Sequence, residues 1–153
     1  MWTYCACGQR HWGRYGAAGL LLTDRDRTGV VLQKRSRMVH YGGTWSVPGG
    51  AIEWREGPVR AALREAHEEA GVEASTVSVV ETILGTDHGD WSYTYVLAEA
   101  ERPEDPRLGT SWEADRTGWV DLDRVAKHKL HPGLRADWPR LLNVLADRGG
   151  RIA

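Results

Sequence analysis

Phenylalanine is absent from this 153-residue sequence, cysteine occurs only twice, and neither sign of charge prevails. The two cysteines, Cys5 and Cys7, stand two residues apart, where a disulfide would close a strained ring with little entropic gain. A secreted disulfide scaffold is therefore excluded. Long hydrophobic runs are also missing: near the start the longest is Ala17 to Leu22, interrupted by Gly19 and too short for a membrane span or a signal-peptide core. That pattern fits a soluble, cytoplasmic chain with no membrane partner. Twenty Lys and Arg against 21 Asp and Glu give a formal net charge of −1 and a pI near 6.6. The field that drives nonspecific binding to duplex nucleic acid is thus lacking, whereas a small anionic substrate carrying its own metal remains compatible. The eight tryptophans that accompany the missing phenylalanine, and the excess of arginine over lysine, fit codon bias as well as function and imply no mechanism.

Apolar residues at 41% and charged residues at 27% describe an ordinary globular chain without repeats. Its length suits one domain, which buries roughly two-thirds of the unfolded surface. Residues 1–16 form a Cys/His-containing arm without clear periodicity, 17–148 the domain proper, and 149–153 a frayed tail. Ala17 to Leu22 reads as a buried strand, Thr23 to Gly29 as a charged turn, and Val30 to Arg35 as the second arm of a hairpin. After a loop, Trp45-Ser46-Val47 is extended and must end at Pro48-Gly49-Gly50, with a loop onward through Glu56. From Pro58, Val59, Ala62, Leu63, Ala66 and Ala70 recur at helical spacing, and Gly71 suits the stop. Thr76 to Leu84 and Trp91 to Ala98 read as adjacent strands, and Glu101 to Arg116, with two prolines, as a long loop. Gly118-Trp119-Val120 is a last short strand and Asp121 to Ala126 a turn or two of helix. Beyond His131-Pro132-Gly133 a helix from about Arg135 to Arg148 buries Trp138, Leu141, Leu142 and Leu145. The fold class is an α/β or α+β layered domain.

The helix after Gly50 contains a conflict. Glu65, Glu68 and Glu69 occupy its last two turns, where the helix dipole disfavours negative charge, at mutually repulsive i,i+3 and i,i+4 spacings. A solvated acidic face beside Arg60 and Arg64 would look similar. Three gathered carboxylates also suit Mg²⁺ or Mn²⁺ completed by phosphate oxygens and water.

The string GAIEWREGPVRAALREAHEEAGV decides between these readings, because it resembles the Nudix box of the Nudix hydrolase superfamily. Gly50, Glu56, Arg64, Glu65, Ala66, Glu68, Glu69, Gly71 and Val72 fill the fixed positions. The lead-in Trp45 to Gly50 and the strand Gly118 to Val120 are similar to the family's flanking segments. The resemblance, to the MutT-like branch in particular, implies an α/β/α sandwich around a mixed sheet. It implies metal binding by Glu65, Glu68, Glu69 and the Gly50 carbonyl, with Glu56 and Arg64 bracing the loop on the helix. It offers Glu65 or Glu113 as the base and Glu113 as an extra metal ligand. The implied reaction is Mg²⁺-dependent hydrolysis of a nucleoside diphosphate linked to another group, foremost a normal or modified nucleoside triphosphate giving monophosphate and pyrophosphate. A nucleotide sugar or similar conjugate is the alternative, and a non-catalytic nucleotide sensor of the same fold the alternative of another class. Many relatives are dimers, and a homodimer is compatible here although nothing in the sequence marks it.

Outside the box, His88, Trp91 and Tyr93 lie where the family encodes substrate choice, and their rings could stack on a base; as sheet residues they would have no such role. His131 could reach the mouth of the site. The stretch Asp87-His88-Gly89-Asp90 carries neither the proline of ADP-ribose hydrolases nor the tyrosine of dinucleoside polyphosphate hydrolases. Cys5, Cys7 and His11 have soft donors at spacings that suit a structural Zn²⁺, one ligand short of four, with His40 or a second chain as the source of the fourth. An ordered arm with reduced thiols is the other reading.

Overall fold

The computed structural model describes residues 2–6, 8, 10–36, 40–102 and 114–147. Two of the residues singled out above, Cys7 and Glu113, lie outside them. The chain begins with a two-stranded antiparallel sheet, β1 (Trp2–Tyr4) and β2 (Arg10–Trp12), with Thr3 opposite His11. The main sheet holds β3 (Ala17–Asp24), β4 (Gly29–Arg35), β5 (Trp45–Ser46), β6 (Gly49–Ala51), β7 (Ser78–Asp87), β8 (Ser92–Ala100) and β9 (Ala114–Asp121). Among the described residues three α-helices join them, α1 (Pro58–Ala70), α2 (Leu122–Val125) and α3 (Pro132–Ala146), with a single 3₁₀ turn at Ala74–Thr76.

The sheet is mixed. β3 runs parallel to β8 from Ala17 opposite Tyr93 to Asp24 opposite Ala100, and β8 is antiparallel to β7. At the hairpin turn β3 meets β4 at Thr23 and Val30, and then the two part. Past that point β3 takes up β6, while β4 takes up β5 on the same side and β9 on the other. The amide of Leu20 finds its acceptor in the Pro48 carbonyl, 2.8 Å away, so the wedge between the parted strands is filled by the very turn that leads into the box.

Alternating side chains divide the core between the two faces of the sheet. Ala18, Leu20, Leu22, Val31, Val96 and Ala98 pack with Ala61, Ala62, Ala66 and Ala70 of α1. Leu21, Val30, Leu32, Tyr95 and Leu97 pack with Leu134, Trp138, Leu141 and Leu145 of α3. The result is an α/β/α sandwich. The alanine stripe of α1 lets that helix lie close on the sheet, and Gly71 ends it in the left-handed conformation (φ 67°), its amide closing on the His67 carbonyl at 3.1 Å. No described helix is long and apolar enough to cross a membrane.

Several expectations change. The arm without periodicity contains a hairpin. Gly49–Ala51, read as a turn and the start of a loop, is a strand paired with Ala17–Gly19, because pairing with β3 overrides the poor strand propensity of glycine. The last strand extends to Ala114–Asp121 because β4 pairs with it from end to end. The charged turn is partly internal: Arg27 is buried and donates to the carbonyls of Val144 and Leu145 at the end of α3, both at 3.3 Å, with Glu99 3.4 Å away. The α3 helix also begins earlier, at Pro132, and Leu142 is half-buried rather than buried.

Candidate active site

The site grows from the junction of β6 with the C-terminal turns of α1. Glu69, 7% exposed, accepts hydrogen bonds at one carboxylate oxygen from the Gly49 amide and from Gln33 Nε2, each at 2.9 Å. It thereby joins α1 to β6 and to β4 across the wedge. Glu65 lies against Gly50: a Cβ there would stand 2.7 Å from the Glu65 carboxyl carbon and from Oε1, so the box glycine exists to let its backbone reach this carboxylate. Glu65 and Glu69 thus meet the same glycine pair, while Glu68, its side chain 58% exposed, stands more open, 3.6 Å from Arg64.

Arg64 organises the loop. Its Nε and Nη2 donate to the two oxygens of Glu56 at 2.8 and 2.9 Å, Nη2 also to the Ala51 carbonyl at 3.1 Å, and Nη1 to Glu65 at 2.9 Å. One guanidinium therefore ties the start of the loop, its end and the Glu65 carboxylate together, a two-point geometry lysine cannot supply. The hydrogen bonds from Arg64 hold the Glu56 carboxyl below its usual range despite burial, which acts the other way. The same partners raise the guanidinium still further above its usual value, chiefly through Glu56.

The donors at this junction are all oxygens: two carboxylates on the glycine pair, the exposed Glu68 carboxylate, and backbone carbonyls. Such a set fits a hard divalent cation and would satisfy the like-charge crowding at the end of α1. Alongside Glu69 the sheet presents polar groups that sequence reasoning missed. Ser46 and Thr117 stand opposite Gln33 in the strands flanking β4, and Ser46 Oγ, Gln33 Oε1 and Thr117 Oγ1 are buried without a hydrogen-bond partner among the described residues. Buried polar atoms are normally satisfied, so this row marks a place for water or for polar atoms of a ligand. No spacing in the sequence marked these groups, since Gln33, Ser46 and Thr117 are single polar residues on three separate strands.

The other sequence candidates separate into two places. Tyr93 packs on the α3 side of the sheet, and its hydroxyl sits where a Cβ on Gly19 or Gly49 would collide. Burial first, and then the charge of Glu69, push that hydroxyl above its usual pKa. His131 caps α3, its Nδ1 accepting from the Gly133 amide at 3.1 Å, and its ring meets Tyr41 edge-on at 4.8 Å. Burial, and then the nearby Arg35 and His40, lower its pKa to about 4. His88 and Trp91 lie instead at the β7–β8 turn beside the N-terminal hairpin, where Trp91 stacks on His11 at 4.4 Å. Rings link the two places: Tyr41 touches His40, His40 meets Trp2, Trp2 meets Trp12, and the Trp12 carbonyl accepts from Trp91 Nε1. Asp137, which the helix pattern concealed, is buried on α3 and accepts from the Tyr95 hydroxyl at 2.9 Å and the Thr86 amide at 3.2 Å, tying α3 to β8 and β7.

The family model of the NUDIX domain matches residues 13–141. A nucleoside triphosphate pyrophosphatase/Nudix hydrolase fusion protein of Bifidobacterium longum is 42% identical over 147 residues, covering 91% of this chain and 30% of that protein. A Mycobacterium tuberculosis protein named as an 8-oxo-dGTP diphosphatase is 41% identical over 148 residues, covering 92% of this chain and 67% of that one. The chain therefore spans less than a third of the first relative and two-thirds of the second. Among solved structures, the Nudix hydrolase RenU of M. smegmatis superposes with a TM-score of 0.87 at 40% identity, covering 95% of this chain and 94% of its own. The sandwich, the glycine–glutamate junction and these matches lead to one conclusion: the chain belongs to the Nudix hydrolase family.

Proposed function

We propose that this protein hydrolyses a nucleoside triphosphate, normal or modified, to the monophosphate and pyrophosphate with the help of Mg²⁺ or Mn²⁺. The observation that carries the reading is the meeting of Glu65 and Glu69 at the Gly49–Gly50 segment, with Glu68 open beside them. Glu65, Glu68, Glu69 and the Gly50 carbonyl would hold the cation, which supplies neutralisation of phosphoryl charge and a more acidic attacking water. The chain's own residues do the rest. Arg64 keeps the Glu65 carboxylate oriented, Glu56 anchors Arg64, and Gln33 with the Gly49 amide fixes Glu69. Glu65 is the base candidate within the described residues. The Ser46–Gln33–Thr117 row offers polar contacts to the substrate, and the ring series from His131 to Trp91 offers stacking surfaces for its base.

The names of the two relatives favour a triphosphate substrate. The intact glutamate trio argues against a sensor that binds without turnover, and a nucleoside diphosphate conjugate remains the rival substrate. Product analysis by ion chromatography, over a panel of normal and oxidised triphosphates, nucleotide sugars and dinucleotides with Mg²⁺, tests the reading. Pyrophosphate and a monophosphate should appear fastest from a triphosphate. If a conjugate outpaces every triphosphate, the substrate assignment fails while the hydrolase reading stands.

A further inference from the structure

The N-terminal hairpin carries a second cluster of donor atoms, chemically unlike the first. Cys5, just past β1, is buried, and His11 lies in β2. Both come up against His88 in the turn between β7 and β8, and one donor atom from each of the three lies within 4.8 Å of the others. His11 Nε2 faces His88 Nδ1 at 2.9 Å. A tetrahedral zinc with bonds of about 2.0–2.1 Å to nitrogen and 2.3 Å to sulfur spaces its donors roughly 3.3–3.6 Å apart. The three donor atoms are therefore gathered within reach of one ion.

The path of the chain here is fixed largely by backbone hydrogen bonds, and the Cys5 thiol adds a contact to the His88 carbonyl at 3.8 Å. Gly8, left-handed at φ 87°, returns its amide to the Cys5 carbonyl at 3.0 Å. The Ala6 amide donates to Asp90 at 2.9 Å, the His88 amide to the Trp91 carbonyl at 2.9 Å, and the Trp91 ring lies flat on His11. Hairpin and turn, about 80 residues apart in sequence, are thus held face to face with two imidazoles and a thiol between them.

We propose that Cys5, His11 and His88 bind one zinc ion, which pins the N-terminal hairpin to the β7–β8 turn. One thiolate and two imidazoles form a borderline-soft set that suits zinc, in contrast to the all-oxygen junction on α1. Three side chains are one short of the four that close a structural zinc site, so water takes the fourth position. The ion acts as a pin between segments: Thr3 donates to the Gly13 carbonyl at 2.8 Å and the Gly16 carbonyl accepts from Ile52 at 3.0 Å, so the pinned hairpin is continuous with the start of the box loop.

Metal analysis of the full chain purified without added metal or chelator provides the test, together with Co²⁺ titration of the metal-stripped wild-type protein. Zinc should be present at close to one per chain, and Co²⁺ should develop a thiolate-to-metal charge-transfer band that saturates at one equivalent. Cys5→Ser should abolish the band, and His88→Gln should lose stoichiometric zinc. Zinc below about one-tenth equivalent in the wild type with no charge-transfer band would overturn the proposal, as would copper in place of zinc or a His88→Gln protein that keeps its full zinc content. The wild-type titration needs no variant to fold.

Discussion

At the scale of single residues the account turns on what each charged group touches. Glu56 and Arg64 form a largely buried two-point pair, and removing one member strands the other. Glu56→Gln is expected to cost about 1.5–3 kcal/mol at pH 7, the range of a hydrogen bond to a charged group, measured by urea unfolding. The folded Glu56 pKa is depressed below 4.5, so its contribution is present above that value and is lost as pH falls through the folded pKa. Wild-type stability should therefore decline below about pH 4.5 more steeply than that of Glu56→Gln; parallel profiles would count against the brace. His131 is shifted downward in the same sense. With a folded pKa of about 4 against 6.5, its stabilising effect is complete above pH 6.5 and fades as pH falls toward 4. An imidazole NMR titration should find the His131 midpoint near 4, and a midpoint near 6.5 would contradict its burial beside Arg35 and His40. Box residues were legible in the sequence because the whole string from Gly50 to Val72 resembles a family pattern; the three carboxylates at a helix C-terminus conflict with the local physics, but alone they fit a solvated acidic face as well. Gln33 and Asp137 were not, since a lone polar residue on a strand or helix face carries no spacing to mark it.

At the scale of elements, the sequence showed what local pattern dictates and hid what pairing dictates. The alanine stripe and the Pro58 and Gly71 punctuation place α1 at its observed bounds. β6 escaped notice because glycines that permit close approach to Glu65 and β3 also look like a turn. The hairpin at the start of the chain escaped because its three-residue strands are too short to alternate. Arg27 shows the same limit: a charged residue in a charged turn, it serves as the donor to the last carbonyls of α3, where the helix dipole favours a cation. Arg27→Ala should destabilise the fold by about 1–3 kcal/mol, as expected when buried polar groups lose their donor. Equilibrium denaturation reads this directly, and a loss under about 0.5 kcal/mol would place Arg27 among ordinary surface positions.

At the scale of the whole molecule, two faces of one mixed sheet carry two cores, and the parting of β3 from β4 creates the space in which the box turn meets α1. The wedge, the glycine pair and the glutamates form one device, so the fold and the site were read from the same residues. Substrate choice was not legible, because the residues proposed to contact the substrate, Ser46, Gln33, Thr117 and a series of rings, come together only in the tertiary structure. Steady-state turnover of the favoured triphosphate, with Mg²⁺ titrated, in the wild type and in Glu69→Gln, is the most direct test of the central claim. Glutamine keeps an acceptor for the Gly49 amide, so the variant should fold with near wild-type stability while turnover falls by roughly 10²–10³-fold, the loss expected when a charge-stabilising group is removed. Wild-type turnover that persists after Mg²⁺ is chelated, or a folded Glu69→Gln protein with near wild-type rates, would contradict the assignment of the glutamate junction as the metal-dependent hydrolytic centre.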